Sequence, residues 1–115
     1  ETIFALATAQ GRSGVAVIRI SGEGVAPAWE HFGCQLQPEP RKAVFHNFRL
    51  AGGELLDQGL ILYFPAPQSF TGEDCLEFQI HGSIAVVKKF LEELSALPGF
   101  RLAEPGEFAR RAFTN

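Results

Sequence analysis

Short apolar runs separated by glycine and proline dominate most of the chain, and they predict β-strands. The runs 2–8 and 15–20 flank a glycine-containing loop at 9–14, which is typical of two paired strands joined by a short connection. Alternating polar and apolar residues, one Gly-Gly hairpin signal and a Pro-Ala-Pro stop predict further strands at 43–50, 55–64 and 75–81.

Alternation in the last of these strands produces two chemically different faces. One face is apolar and carries Leu76, Phe78 and Ile80. The other face is polar and carries side chains able to recognise a ligand: Cys75, Glu77, Gln79 and His81.

Helical spacing occurs in three places. Val25, Ala28, Trp29 and Phe32 form one apolar stripe that Gly33 ends. A second helix starts after Gly82-Ser83, with a buried stripe at Val86 or Val87, Phe90, Leu91 and Leu94. A third amphipathic start follows Pro105-Gly106. The order β-β-α-β-β-β-α, with this trailing helix stub, predicts an α+β domain with a mixed sheet and two main helices.

Composition places the chain among soluble globular domains. It has 115 residues, of which 46% are apolar and 20% charged, enough for one core without disulfides. The net charge of −3 argues against a surface that coats nucleic acid. Cys34 and Cys75 lie too far apart for a zinc knuckle and are expected to be reduced, intracellular thiols. No apolar run approaches the roughly 18 residues of a membrane span. Methionine is absent, even at position 1, so we expect a piece of a longer protein.

Two charged residues stand inside predicted strands. Arg19 follows Val15 to Ile18 in an apolar run, and Glu77 lies between Leu76 and Phe78. Each has an ordinary interpretation: a side chain that reaches solvent at a sheet edge or pairs with another charge. Each also has a functional one, because a guanidinium can hold an anion or a ring system and a carboxylate can accept two N–H groups from an amidine-like edge.

Other candidate motifs are weak. The loop 11–14 lacks the lysine and the length of a P-loop, so nucleotide hydrolysis is not expected in this chain. His81-Gly82-Ser83 lacks the context of a hydrolase triad. Arg110 and Arg111 are expected on the solvated face of the last helix.

Several blocks together carry a family resemblance. The chain resembles the N-terminal domain of the tRNA uridine modification GTPases, the MnmE or TrmE family. The blocks are Thr2 to Thr8, Gly11 to Gly22, Phe64 to Asp74, Glu77 to Gly82 and Pro105 to Phe113.

The resemblance implies that residues 1–115 form a folate-binding and homodimerising domain. Its fold would be similar to half of the folate-binding fold of the glycine-cleavage aminomethyltransferase. It would bind 5-formyltetrahydrofolate, or 5,10-methylene-tetrahydrofolate, as the source of the one-carbon unit used on the wobble uridine of tRNA. GTP, Mg²⁺ and K⁺ would bind only to a GTPase domain outside this chain. An FAD- and NADH-dependent partner of the MnmG/GidA type would complete a cytoplasmic complex, mitochondrial in a eukaryote, with no role for a membrane.

The resemblance also assigns residue roles. Arg19 and Glu77 match the family's folate-contacting arginine and glutamate, and a third contact, a lysine, would fall beyond Asn115. No catalytic residue and no metal ligand is expected here. The chain departs from the common family pattern at Ala9-Gln10, Ser13 and Ser83.

Two alternatives remain. A purely structural dimerisation and partner-docking module would use Arg19 and Glu77 as a structural ion pair. A stand-alone hydrolase using His81 and Glu77 would show turnover without any partner.

Overall fold

The computed structural model describes residues 1–8 and 14–115, so residues 9–13 of the loop predicted at 9–14 lie outside the described residues. The strands are β1 (Thr2–Thr8), β2 (Ala16–Gly22), β3 (Val44–Arg49), β4 (Leu55–Phe64), β5 (Asp74–Ile80) and β6 (Phe100–Leu102). The helices are α1 (Ala26–His31), α2 (Ile84–Ser95) and α3 (Glu107–Thr114).

All six strands form one mixed sheet in the order β3-β4-β5-β2-β1-β6. Every neighbouring pair is antiparallel except β1 and β6, which run parallel. The predicted α+β class and mixed sheet are confirmed. All three predicted helices are present, but the one expected only as a trailing stub, α3, has eight residues and is longer than α1, which has six. The likeness to the aminomethyltransferase fold stays a prediction.

One face of the sheet packs against α1 and α2. The predicted stripe of α2 is confirmed, with Val87, Phe90 and Leu94 buried, and Ser83 caps the helix by accepting a hydrogen bond from the Val86 N–H. Edge-to-face aromatic contacts fill the centre of this core. They join Phe32, Phe48, Phe78 and Phe90.

The opposite face of the sheet becomes progressively more open from one end to the other. The strand register places three rows of side chains on it. Residues of the first row are mostly buried: Ile3, Ser21, Cys75 and Phe64. Residues of the second row are half-buried: Ala5, Arg19, Glu77 and Leu62. Residues of the third row are half-buried or exposed: Val17, Gln79, Leu60 and Phe45. The polar face predicted for residues 75–81 is therefore the side of the sheet turned away from α1 and α2, although Cys75 is itself buried.

None of the helices in the described ranges is both long and apolar enough to cross a membrane.

Candidate functional site

Arg19 and Glu77, the two residues singled out by sequence, are direct cross-strand partners. They lie opposite each other on β2 and β5 at the centre of the sheet. The Arg19 Nη2 donates to Glu77 Oε2 at 3.1 Å, and Nε donates to the same oxygen at 3.3 Å. Their side chains are 31% and 19% exposed, so the pair borders solvent and is not sealed in the core.

Among the residues that the structure describes, the pair leaves hydrogen-bonding capacity unused. Both bonds end on Oε2, and within the described residues neither Glu77 Oε1 nor Arg19 Nη1 has a protein partner. A carboxylate has two acceptor oxygens and a guanidinium has five N–H donors, so each group can also bind a ligand. The geometry therefore permits both of the interpretations that the sequence left open.

A cavity of about 450 Å³ opens beside Arg19. Three parts of the chain form its walls: strand β1 at residues 5–7, Phe70, and the segment 103–109 that leads into α3. Phe70 is 56% exposed, and the centroid of its ring lies 5.4 Å from the guanidinium carbon of Arg19, which is within cation–π distance. Glu77 does not line the cavity, because it lies on β5, across Arg19 from β1.

The loop that carries Phe70 is held by polar contacts. Ser21 and Thr71 share a hydrogen bond of 2.6 Å between their hydroxyl oxygens, and Ser21 Oγ also donates to Glu73 at 2.9 Å. Ser69 Oγ donates to the Glu73 carbonyl and accepts from the Gly72 N–H. Phe70 is therefore an exposed apolar side chain on a well-anchored loop.

A second charged cluster includes Glu107, which lies in the 103–109 wall itself. Glu107 is 3% exposed and is the one charged residue classed as buried among the residues that the structure describes. Arg101 donates to both of its carboxylate oxygens, at 2.7 and 2.5 Å, and the Glu104 N–H donates at 2.9 Å. The hydrogen bonds from Arg101 are the main reason that the pKa of Glu107 falls to about 2.

Arg111 extends this cluster to the Phe70 loop. It donates from Nη2 to Glu107 at 3.3 Å and from Nη1 to Glu73 at 3.0 Å, and its side chain is 17% exposed. The expectation that Arg110 and Arg111 both lie on a solvated face is therefore wrong for Arg111, since α3 turns that residue towards the sheet.

The structure does not bring His81 and Glu77 together as a hydrolase site would require. His81 follows the end of β5, four positions beyond Glu77, or roughly 13 Å along an extended strand. It is exposed, and its backbone N–H donates to Asp57 at 3.0 Å. In the described part of the chain, no group of three or more His, Cys, Asp or Glu side chains is arranged to hold a metal ion.

Comparison with known proteins identifies the family. The profile of the family described as "GTP-binding protein TrmE N-terminus" matches residues 2–115. The chain belongs to this family. It is 57% identical over 115 residues to the tRNA modification GTPase MnmE of Brucella canis, 56% identical to that of Brucella abortus and 53% identical to that of Rhizobium meliloti. These alignments cover 100% of the chain and 26% of each relative, so the chain spans about a quarter of their length.

Apart from Arg19, sequence reasoning missed the residues that line the cavity of this TrmE N-terminal domain. Phe70 and Glu107 lie within the blocks that carry the family resemblance, and neither was predicted to be a site residue. One available signal was the spacing of Glu107 and Arg111, since residues at i and i+4 face the same side of a helix. The contact of Arg111 with Glu73 spans 38 positions and carries no local signal.

Proposed function

We propose that this chain is the tetrahydrofolate-binding and homodimerisation domain of a GTPase that modifies the wobble uridine of tRNA. Membership of the TrmE N-terminal family supports the proposal, as do relatives named tRNA modification GTPase MnmE. The chain covers only 26% of those relatives, so GTP, Mg²⁺ and K⁺ are assigned to a part of the protein outside it.

The observation that carries the folate proposal is the Arg19–Glu77 pair beside the cavity. Glu77 Oε1 is an acceptor suited to the N–H groups on the 2-amino-4-oxo edge of a pterin. Arg19 borders both Glu77 and the cavity, so one ligand can contact the two residues together. The bound folate would supply the one-carbon unit, and the residues of this chain would bind and orient it.

The cavity suits the remainder of such a ligand. Its volume of about 450 Å³ lies within the usual range of small-molecule sites, roughly 300 to 1,000 Å³. The exposed ring of Phe70 offers an aromatic surface on which the pterin or the aminobenzoyl ring of the folate can stack.

The open rows of the sheet support homodimerisation. Phe45 is 62% exposed, and Leu60 and Leu62 on the same face are half-buried. A second copy of the chain would remove this apolar surface from water. The dimer would present two folates to tRNA in the cytoplasm and to an FAD- and NADH-dependent partner of the MnmG type.

Titration calorimetry with 5-formyltetrahydrofolate tests the folate proposal. The full chain should bind, and Arg19→Ala and Glu77→Ala should each weaken binding about 10-fold to 100-fold, since each removes charge-assisted hydrogen bonds. Arg110→Ala is the matched control, because Arg110 is exposed and does not line the cavity. A folded, dimeric wild type without measurable binding would refute folate recognition by this chain.

The direct contact between Arg19 and Glu77 favours a second candidate, the structural module. In that case the ion pair only stabilises the sheet, and folate does not bind. Sedimentation of the Arg19→Ala and Glu77→Ala variants separates the two functions: the structural module predicts a weakened dimer, whereas the folate site predicts an intact dimer that binds ligand poorly.

A further inference from the structure

Two walls of the cavity are connected by one arginine that does not itself line the cavity. Arg111 binds Glu107 in the 103–109 wall and Glu73 at the end of the Phe70 loop. Its Nη1 also donates to Glu73 Oε2 at 3.3 Å, so the loop carboxylate receives two contacts from a single nitrogen.

Each end of this connection is anchored in the sheet. Glu107 is held by Arg101 of β6, and Glu73 accepts from Ser21 of β2. The connection therefore runs from one edge strand of the sheet through α3 to a central strand. Through it, the position of one cavity wall is tied to the position of the other.

Sequence-local contacts do not provide this connection. The 103–109 wall begins at Ala103, whose N–H donates to the Phe4 carbonyl of β1 at 2.8 Å. The described backbone bonds at the start of α3 itself are local, from Glu107 N–H to the Glu104 carbonyl and from Arg110 N–H to the Gly106 carbonyl. The first residues of α3 thus depend on side-chain contacts for their placement against the Phe70 loop. A guanidinium suits this task because its fork of donors can hold two carboxylates at once, which a lysine ammonium does less well.

We propose that Arg111 is a positioning residue that sets the separation between the Phe70 loop and the 103–109 wall, and thereby the affinity of the cavity for its ligand. This inference rests on the proposed folate function for the identity of the ligand, but the positioning itself does not depend on it. Phe70 is the group that Arg111 positions towards the ligand.

The test compares Arg111→Gln with Arg110→Gln in the full chain. Both variants remove one positive charge from adjacent positions of α3, but only Arg111 contacts Glu73 and Glu107. Arg111→Gln should weaken binding of 5-formyltetrahydrofolate at least 10-fold, and Arg110→Gln should change it less than 2-fold. The affinity of Arg111→Lys should lie between those of wild type and Arg111→Gln, because lysine keeps the positive charge but lacks the forked donors of the guanidinium.

A double-mutant cycle with Phe70→Ala distinguishes positioning from a general structural role. If Arg111 acts through Phe70, the double variant should bind 5-formyltetrahydrofolate with about the same affinity as the single variant that binds it more weakly. Additive losses would overturn the proposal, as would equal affinities of Arg111→Gln and wild type.

Hydrogen exchange of the ligand-free protein gives an independent readout. Arg111→Gln should speed the exchange of amides in 69–73 and 107–114 about 10-fold and leave β5 unchanged. Unchanged exchange in both segments, or an equal increase throughout the sheet, would contradict the inference. If the wild type fails to bind folate, the proposed function fails, and the exchange result still decides whether Arg111 positions the two walls.

Discussion

Glu107→Gln is the most direct test of the charged cluster at the 103–109 wall. The Glu107 carboxylate accepts four hydrogen bonds, two from Arg101 and one each from the Glu104 N–H and Arg111. A glutamine can keep the bonds at one oxygen. Its amide N–H groups, however, would then face the donors of Arg101 and Arg111 at the other position.

The expected cost follows from the bonds that are lost. Two charge-assisted hydrogen bonds would each contribute about 1.5–3 kcal/mol if fully buried. Arg101 is 34% exposed and can be rehydrated, which lowers the total. We expect the free energy of unfolding to fall by about 2–4 kcal/mol at pH 7, measured by urea denaturation. Glu104→Gln, at an exposed neighbouring position, is the control.

The pH dependence of this difference gives a second check. The pKa of Glu107 falls from 4.5 to about 2 on folding, mainly because Arg101 stabilises the ionised form. A lowered pKa stabilises the folded state fully above 4.5, and this contribution disappears as the pH falls towards 2. The difference in the free energy of unfolding between wild type and Glu107→Gln should therefore become smaller as the pH falls through that interval. A difference in the free energy of unfolding below about 1 kcal/mol at pH 7, or one that does not change with pH, would contradict the stabilising role of the ionised Glu107.

Two further substitutions test the packing, each against a matched control. Gly59→Ala should lower the free energy of unfolding by at least about 2 kcal/mol, because the added Cβ would lie 2.1 Å from the Gln79 carbonyl oxygen. The control is Gly52→Ala, whose added Cβ lies in open space and should change this free energy by less than about 0.5 kcal/mol. Equal melting temperatures of the two variants would contradict this prediction. Phe90→Ala should lower the free energy of unfolding, measured by urea denaturation, by about 3–5 kcal/mol, because Phe90 is fully buried. Phe113 is 92% exposed, so Phe113→Ala should leave this free energy nearly unchanged. Similar losses for both variants would contradict the role of Phe90 in the core.

Local patterning determined most of the elements of this protein. The alternation of residues 75–81 predicted β5 and its apolar face, and the 3.6-residue spacing predicted the buried stripe of α2. These patterns are local because a strand or helix turns its side chains to its faces with a fixed period. The same reasoning found Arg19 and Glu77, since a charge within an apolar strand stands out in the sequence itself.

The contacts between these residues depend on the three-dimensional fold. Arg19 and Glu77 are 58 positions apart, and they pair because β2 lies next to β5 in a register that a one-residue slip would destroy. Arg111 gave the opposite signal, since a charged residue on a short amphipathic helix is usually solvated. It is half-buried because Glu73 is brought from 38 positions away, and the burial of a charge depends on a partner that no local pattern reveals.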